Sequence, residues 1–346
     1  MTPLRVIMVG LGARARTWLR VAASSADVEV VAICDPDPEA RARAAAGLPG
    51  VRAGAALADV VGVEAEAAIL CTPPRGREAL VTSCCDAGLA ILAEKPLADE
   101  VGAAARCVAA AEAAGVPLVV GLNFRYLAVS RAKRDLIAEG AFGPPAVGRF
   151  TYERWRDGRL PHLNDYPLLM AQPMLWEQSI HHFDLMRFVY GAEPVRVSAS
   201  TWNPPWSLYA GDANVAALIE FERGLHVTYH GTWQGGLDRL DFDWRTDCEG
   251  GAIAQRSMFG DLEAGPREAG AMSPVALPPE EPWIDDAAAL LAAFVRTCRG
   301  AAPPECTGAD HLRSLHMLAA CIASSRRRAA VEIAEIADAP NHKEIA

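Results

Sequence analysis

The chain has no excess of positive charge. Its 33 Lys and Arg against 43 Asp and Glu give a formal net charge of −10, so there is no basic footprint for nucleic acid or another polyanionic surface. Paired cysteines are missing too. The nine present are scattered without a C-x-x-C spacing, which argues against a disulfide framework or a zinc site and leaves buried, reduced thiols as the expectation. No apolar run is long enough to span a bilayer, and no signal peptide precedes the first strand, so a cytoplasmic protein is expected. Internal repeats and low-complexity linkers are absent, although residues 263–281 read as a Gly/Pro/Ala-rich loop. What remains is a 346-residue chain, longer than a usual single core, and two domains are expected.

Leu4-Arg5-Val6-Ile7-Met8-Val9 is a β-branched and apolar run without alternation, the pattern of a strand buried on both faces. It leads into Gly10-Leu11-Gly12-Ala13-Arg14-Ala15, a G-x-G-x-x-A fingerprint. Gly10 permits the tight turn, Gly12 lets the backbone approach a pyrophosphate, and Ala15 lets the helix pack on the strand. The following helix would turn its N-terminal amides toward the phosphates. A second strand, from Val28 to Cys34, ends at Asp35, placed to bond a ribose 2′-hydroxyl. Its carboxylate, with Asp37 close by, would repel a 2′-phosphate, so NAD is favoured over NADP. Capping of the next helix by this acidic turn is compatible with that role.

Strands and helices alternate to about residue 122, which predicts a doubly wound parallel sheet. Ala67-Ala68-Ile69-Leu70 ends in Cys71-Thr72-Pro73, and Leu89-Ala90-Ile91-Leu92-Ala93 ends in Glu94-Lys95-Pro96. Lys95 therefore stands at the carboxyl end of a parallel strand, where open α/β sheets hold their ligands. The bland alternative is a surface lysine. Near a nicotinamide ring its pKa could fall and it could share in proton transfer. Beyond Asn123-Phe124-Arg125-Tyr126 and a helix to about 139 the pattern changes. Residues 146–154, 194–202, 213–222 and 225–232 read as strands, the last two joined as a hairpin, in a mainly antiparallel sheet. Helices over 285–299 and 308–325 follow. The expected domains are 1–122 and 123–346. An open sheet with helices on one face would leave an apolar face in need of cover, so self-association is expected.

A second cluster lies on the segment from Trp176 to Gly191. Glu177, His181 and Asp184 are spaced i, i+4, i+7 and would share one stripe of a helix capped by Gly191. Burial of such groups without purpose would be costly, and exposure is the simple alternative. A metal held by Glu177 and His181 is the sharper rival, but no third ligand with zinc-like spacing is visible, and none is expected. His182 is turned about 100° from His181 and reads as structural or substrate-lining.

Together the glycine loop, Cys71-Thr72-Pro73, Glu94-Lys95-Pro96 and the helix with Ile180-His181 and Asp184 make the chain resemble the Gfo/Idh/MocA oxidoreductases. The resemblance implies an N-terminal Rossmann domain, a C-terminal α/β domain with a large open sheet, and a homodimer or homotetramer. It also implies NAD(P)-linked chemistry on a sugar, polyol or inositol-like hydroxyl. Lys95 takes the role of the catalytic lysine and His181 that of proton acceptor. Glu177 stands where many members have Asp. Cofactor contacts fall on Gly10, Gly12, Ala13, Arg14, Ala15, Asp35, Cys71, Thr72, Pro73, Glu94, Lys95 and Asn123. Arg125, Tyr126, Arg156, His162, Gln178, His182 and Trp233 are candidate substrate contacts. Two alternatives remain: an NAD-dependent glycosidase working by transient oxidation, which needs the same hydride machinery, and a non-catalytic NAD-binding regulator, which would keep the Gly10–Gly12 loop without turnover and against which the presence of both Lys95 and His181 argues.

Overall fold

The computed structural model describes residues 2–156 and 166–338, and the chain divides into two units. In the first, β1 (Leu4–Val9), β2 (Val28–Cys34), β3 (Arg52–Gly54), β4 (Ala67–Leu70), β5 (Ala90–Ala93) and β6 (Leu118–Val120) form a parallel sheet in the order 3-2-1-4-5-6. Helices α1 (Ala13–Ala23), α2 (Pro38–Ala45), α3 (Arg77–Asp86) and α4 (Val101–Ala114) connect them. Strands β4, β5 and β6 are buried throughout. That is why they read as unbroken apolar runs: helices cover both faces of such a sheet.

The second unit begins with α5 (Ala128–Ala138) and β7 (Pro145–Arg154). A π-helical turn, Met174–Ser179, runs into α6 (Ile180–Tyr190). Next come β8 (Pro194–Trp202), β9 (Asn214–Phe221), β10 (His226–Thr232), β11 (Leu240–Cys248), β12 (Gly251–Ser257), β13 (Gly260–Pro266) and β14 (Ser273–Pro274). With β15 (Val331–Glu332) they make a nine-stranded sheet ordered 14-13-12-11-7-10-9-8-15. Every pairing is antiparallel except that of β7 with β10. Strands β11, β12 and β13 were not among the expected ones, and part of the expected loop over 263–281 is strand.

The inner face of this sheet carries an aromatic core. Phe150 packs on His182, Tyr229, Phe242 and Trp244 at centroid distances of 4.7 to 5.6 Å. Lys133 of α5 is fully buried there. Its Nζ lies 3.7 Å from the centre of the Trp244 ring and donates to the Trp244 carbonyl at 2.7 Å. Burial pushes this ammonium well below the ordinary lysine range.

The outer face differs from the apolar one expected. The residues that alternate with the buried ones are largely charged and paired: Arg149 and Arg256 reach Asp243, Arg245 reaches Asp247, and Arg196 reaches Glu220. Val147, Leu218 and Trp202 are among the large apolar side chains exposed on these strands, with Val195 and Leu240. Charge patterning covers most of this face.

The chain then supplies α7 (Asp285–Cys298), α8 (Gly308–Arg327) and α9 (Ile333–Ala337). Residues 281–312 group with the first unit, whereas the expected boundary assigned everything beyond 122 to the second domain. The reason is local pairing. Thr307 bridges to Val119 on β6, Arg125 pairs with Asp310 at 2.5 Å, and Asp286 meets Asn123. Among the described residues no helix is long and apolar enough to cross a membrane.

Candidate active site

Gly10 adopts φ +82°, and a Cβ there would lie 3.0 Å from the Thr72 backbone nitrogen. Both the conformation and the close approach require glycine. Gly12 is the N-cap of α1, exposed, with nothing within 4 Å of the place a Cβ would take. Ala13 beside it is exposed and Ala15 is fully buried against the sheet. A turn with open space at its second glycine and unpaired helix N–H groups beyond is a fitting cradle for a pyrophosphate.

Asp35 follows β2 and does more than the sequence implied. One carboxylate oxygen accepts from the Leu11 amide at 2.7 Å and the other from the Asp37 amide at 2.8 Å. It therefore braces the glycine turn, while Asp37 caps α2 through the Glu39 amide. Arg41 bends back to donate to the Asp35 carbonyl at 2.6 Å. Each oxygen of Asp35 keeps lone-pair capacity for a ribose hydroxyl.

Beyond β4 and β5 the chain leaves carbonyls with no strand partner, and Arg77 collects them. This guanidinium, buried at the first position of α3, donates to the carbonyls of Thr72, Glu94 and Pro96. The loop that holds Lys95 is also anchored at Leu97, whose amide lies 3.3 Å from His311 Nε2. Lys95 itself is half-buried. Sequence reasoning missed Arg77. The available signal was a cation at a helix N-terminus, where the macrodipole disfavours it.

Several expected cofactor contacts prove to be tied to one another. Glu94 accepts from Arg14 Nε at 2.5 Å and from the Trp18 indole at 2.7 Å. Arg14 also donates to Asn123 at 3.0 Å, and Asn123 donates to Asp286. Burial raises the pKa of Asp286. Cys71 lies with its sulfur 3.6 Å from that of Met8, and burial raises its thiol pKa, so it is an inert neighbour and not a nucleophile. Thr72 is half-buried and Pro73 exposed at the same strand end.

In the second unit the expected stripe is modified. Glu177 lies in the π-helical turn and His181 in the first turn of α6, so their separation is not that of an α-helix. A π turn inserts extra backbone and often marks a functional site. Exposure, the simple alternative, does not apply to His181 or Asp184, which are 5% and 1% exposed. Asp184 accepts from Ser314 at 3.0 Å, and Ser314 accepts from Arg187, itself paired with Glu193 at 2.7 Å. It is a structural acid. Breaking so buried a group of charges typically costs about 3–5 kcal/mol.

His182 closes a chain of buried hydrogen bonds. Tyr229 donates to Ser179 at 2.8 Å, so its oxygen accepts from His182 Nδ1 at 2.8 Å. Nε2 then accepts from Gln178 Nε2 at 3.0 Å, and Gln178 Oε1 accepts from Tyr152 at 3.2 Å. Every donor finds an acceptor only if the imidazole is neutral, and burial lowers its pKa to about 3. Gln178 and Ser179 are the members of this chain that belong to the π turn. The network holds the turn that presents Glu177.

The remaining substrate candidates separate clearly. Arg125 is buried and committed to Asp310 and the Glu305 carbonyl. Tyr126 is half-buried at the end of the short helix Asn123–Tyr126. Arg156 stacks on the fully buried Trp233, its guanidinium carbon 4.1 Å from the ring centre. His162 lies outside the described residues. No three of His, Cys, Asp and Glu gather as metal ligands among the described residues.

Family models match part of each unit. A family model described as an oxidoreductase family with an NAD-binding Rossmann fold matches residues 4–122, and the Gfo/Idh/MocA C-terminal domain model matches residues 130–254. The chain belongs to the Gfo/Idh/MocA oxidoreductases. It is 31% identical to the uncharacterized protein y4oX of Sinorhizobium fredii over 55% of this chain and 53% of that protein. With D-apiose dehydrogenase of Paraburkholderia graminis it shares 28% identity over 79% of this chain and 74% of the relative. The structure of an oxidoreductase from Agrobacterium radiobacter in complex with NAD+, L-tartaric acid and magnesium superposes with a TM-score of 0.88 at 21% identity, over 97% of this chain and all of that one. That likeness shows a shared fold. As a member of this family the chain is an NAD-binding oxidoreductase.

Two outcomes follow from the geometry. Arg77→Ala, which strands three carbonyls, should lower stability by about 3 kcal/mol and weaken NADH binding at least tenfold; urea unfolding and calorimetry measure the two effects. His182 binds a proton in the unfolded chain near pH 6.5 but not in the folded one until about 3. Its stabilising contribution is complete above pH 6.5 and is lost as pH falls toward 3. Urea unfolding between pH 7 and 4 should therefore show wild type losing several kcal/mol relative to His182→Gln; parallel losses would mean that the imidazole is not held neutral.

Proposed function

We propose that this family member transfers a hydride between NAD and a secondary alcohol, or the matching carbonyl, of a sugar, polyol or inositol-like compound. The observations that support this reading are a half-buried Lys95 just past β5 in the first unit and, in the second, a buried His181 that follows a π-helical turn. Relatives named D-apiose dehydrogenase, 1,5-anhydro-D-fructose reductase and inositol 2-dehydrogenase support the compound class.

The turn at Gly10 and Gly12 fits NAD, which when bound supplies the site of hydride exchange. Lys95 hydrogen-bonds the reacting oxygen. His181 accepts the hydroxyl proton in oxidation and returns it in reduction, and Glu177 orients or tunes His181. Asp35 binds the adenosine ribose and repels a 2′-phosphate, which favours NAD over NADP. Ala13, Arg14, Cys71, Thr72, Pro73, Glu94 and Asn123 shape the same cradle. Self-association as a dimer or tetramer belongs to this reading as a family expectation, and the outer face with its ion pairs and Leu218 is the surface we assign to it.

Lys95→Met and His181→Ala should each slow turnover on the order of a hundredfold or more while leaving NADH binding near wild type. Because both act on one proton path, the double variant should lose less than the product of the single losses. Stopped-flow hydride transfer is the measurement. Wild-type rates in His181→Ala would move the proton acceptor elsewhere, and a larger loss in Glu177→Gln than in His181→Ala would make the carboxylate itself the base. Calorimetric titration should find NADH bound more tightly than NADPH; equal affinities would contradict the role given to Asp35.

A further inference from the structure

Side chains two apart on a strand share a face. On β7 the inward-facing Phe150 and Tyr152 are therefore followed on the same side by Arg154 and then, just past the strand end, by Arg156. Both arginines are half-buried. Elsewhere in the second unit many arginines reach acids, Arg149 and Arg256 to Asp243, Arg187 to Glu193, Arg196 to Glu220 and Arg245 to Asp247, while Arg223 and Arg267 reach carbonyls. Among the described residues Arg154 and Arg156 reach none. The neighbouring Glu153 points to the opposite face, where it meets His230 at 3.7 Å.

The surroundings hold these two cations in place. The Arg156 backbone is pinned at both ends, its amide to the Trp233 carbonyl at 3.0 Å and its carbonyl to the Tyr209 hydroxyl at 2.9 Å. Its guanidinium carbon sits over the Trp233 ring, 4.1 Å from the ring centre. A guanidinium held over a ring face keeps N–H donors for a planar, bidentate anion. Beneath it the fully buried Trp233 indole N–H faces the Tyr152 hydroxyl. Tyr152, close to both arginines, has its phenol raised by burial and drawn back by the two positive charges. Its hydroxyl bonds Gln178, which adjoins Glu177 in the π turn. Two like charges gathered on one face at the end of β7, with no acid among the described residues to neutralise them, describe a site built for an incoming anion.

We infer that the substrate is a polyhydroxy compound bearing an anionic group, a carboxylate or a phosphate monoester, which Arg154 and Arg156 grip at the end of β7. This rests on the dehydrogenase reading above and deepens it. Neutral sugars and inositols then lack the contact that orients them, and the acidic member of each pair is the one turned over.

The test is a matched panel offered with NAD: aldonates and uronates, sugar phosphates, and the corresponding neutral aldoses and polyols, read by NADH absorbance. An acidic compound should exceed its neutral counterpart in kcat/KM on the order of a hundredfold. Preference for carboxylates or for phosphates identifies which anion is the source. Arg156→Gln and Arg154→Gln should raise KM for the acid at least tenfold with kcat little changed, and leave KM for the neutral counterpart as it was. A neutral compound used as well as its acid, or a loss in the variants that is the same for both, would overturn the inference while leaving the dehydrogenase reading intact. Should no compound be oxidised or reduced, calorimetry of the panel against the NADH complex, wild type beside Arg156→Gln, still decides: binding of an acid that the variant loses supports the anion site alone, and no such binding refutes it.

Discussion

Strands of a parallel sheet must end somewhere, and where β4 and β5 end their next carbonyls have no neighbour to accept from. A buried carbonyl left without a donor costs about as much as a lost hydrogen bond, and several together would open the loops to water. Arg77 removes that cost by donating to Thr72, Glu94 and Pro96 at once. The consequence runs in both directions along the sheet edge. Thr72 is held against Gly10, which needs its positive φ to make the contact, and Lys95 is held by the peptide units on either side. One guanidinium thus keeps the glycine turn and the lysine loop in register.

The second unit solves a different problem, that of presenting polar groups from a helix whose every residue is buried. A regular α-helix would offer one stripe and leave the rest to be packed. The π turn at Met174–Ser179 breaks that regularity, and a neutral His182, locked between Gln178 and Tyr229, stabilises the break. Local distortion of this kind is maintained by the packing around it and not by the turn itself. Asp184 and Arg187 anchor the same helix through Ser314.

Charge in this molecule is handled by pairing wherever it is structural. The ion pairs of the outer sheet face are exposed and each contributes on the order of a few tenths of a kcal/mol, yet they keep a broad strand surface polar. Buried cations are treated differently. Lys133 has a carbonyl and a ring, Arg125 an acid, Arg77 three carbonyls. Against this background Arg154 and Arg156 stand out because the fold positions them and, among the described residues, no acid meets their charge.

The first half of the fold was legible in the chain itself, for a physical reason. A doubly wound sheet writes itself as apolar runs separated by helical periods, and the glycine spacing of 10 and 12 with an acid at 35 is dictated by backbone geometry that few other residues satisfy. The two domains of the family and the motif at Lys95 follow from the same local rules. The second sheet was only partly legible. β11 alternates apolar and charged residues except at Thr246 and could have been read, whereas β12 and β13 are rich in Gly and Ala and gain their strand character from neighbours. Three features needed the tertiary structure. Nothing local marks Arg77 as a donor to carbonyls up to twenty residues away in sequence; the shift from α to π at Glu177 depends on partners in β7 and β10; and residues 281–312 join the first unit through contacts with β6 and Asn123. Spacing along a chain determines which side chains share an element. Which unpaired donors and acceptors meet is decided by packing, because only there does water cease to be the partner.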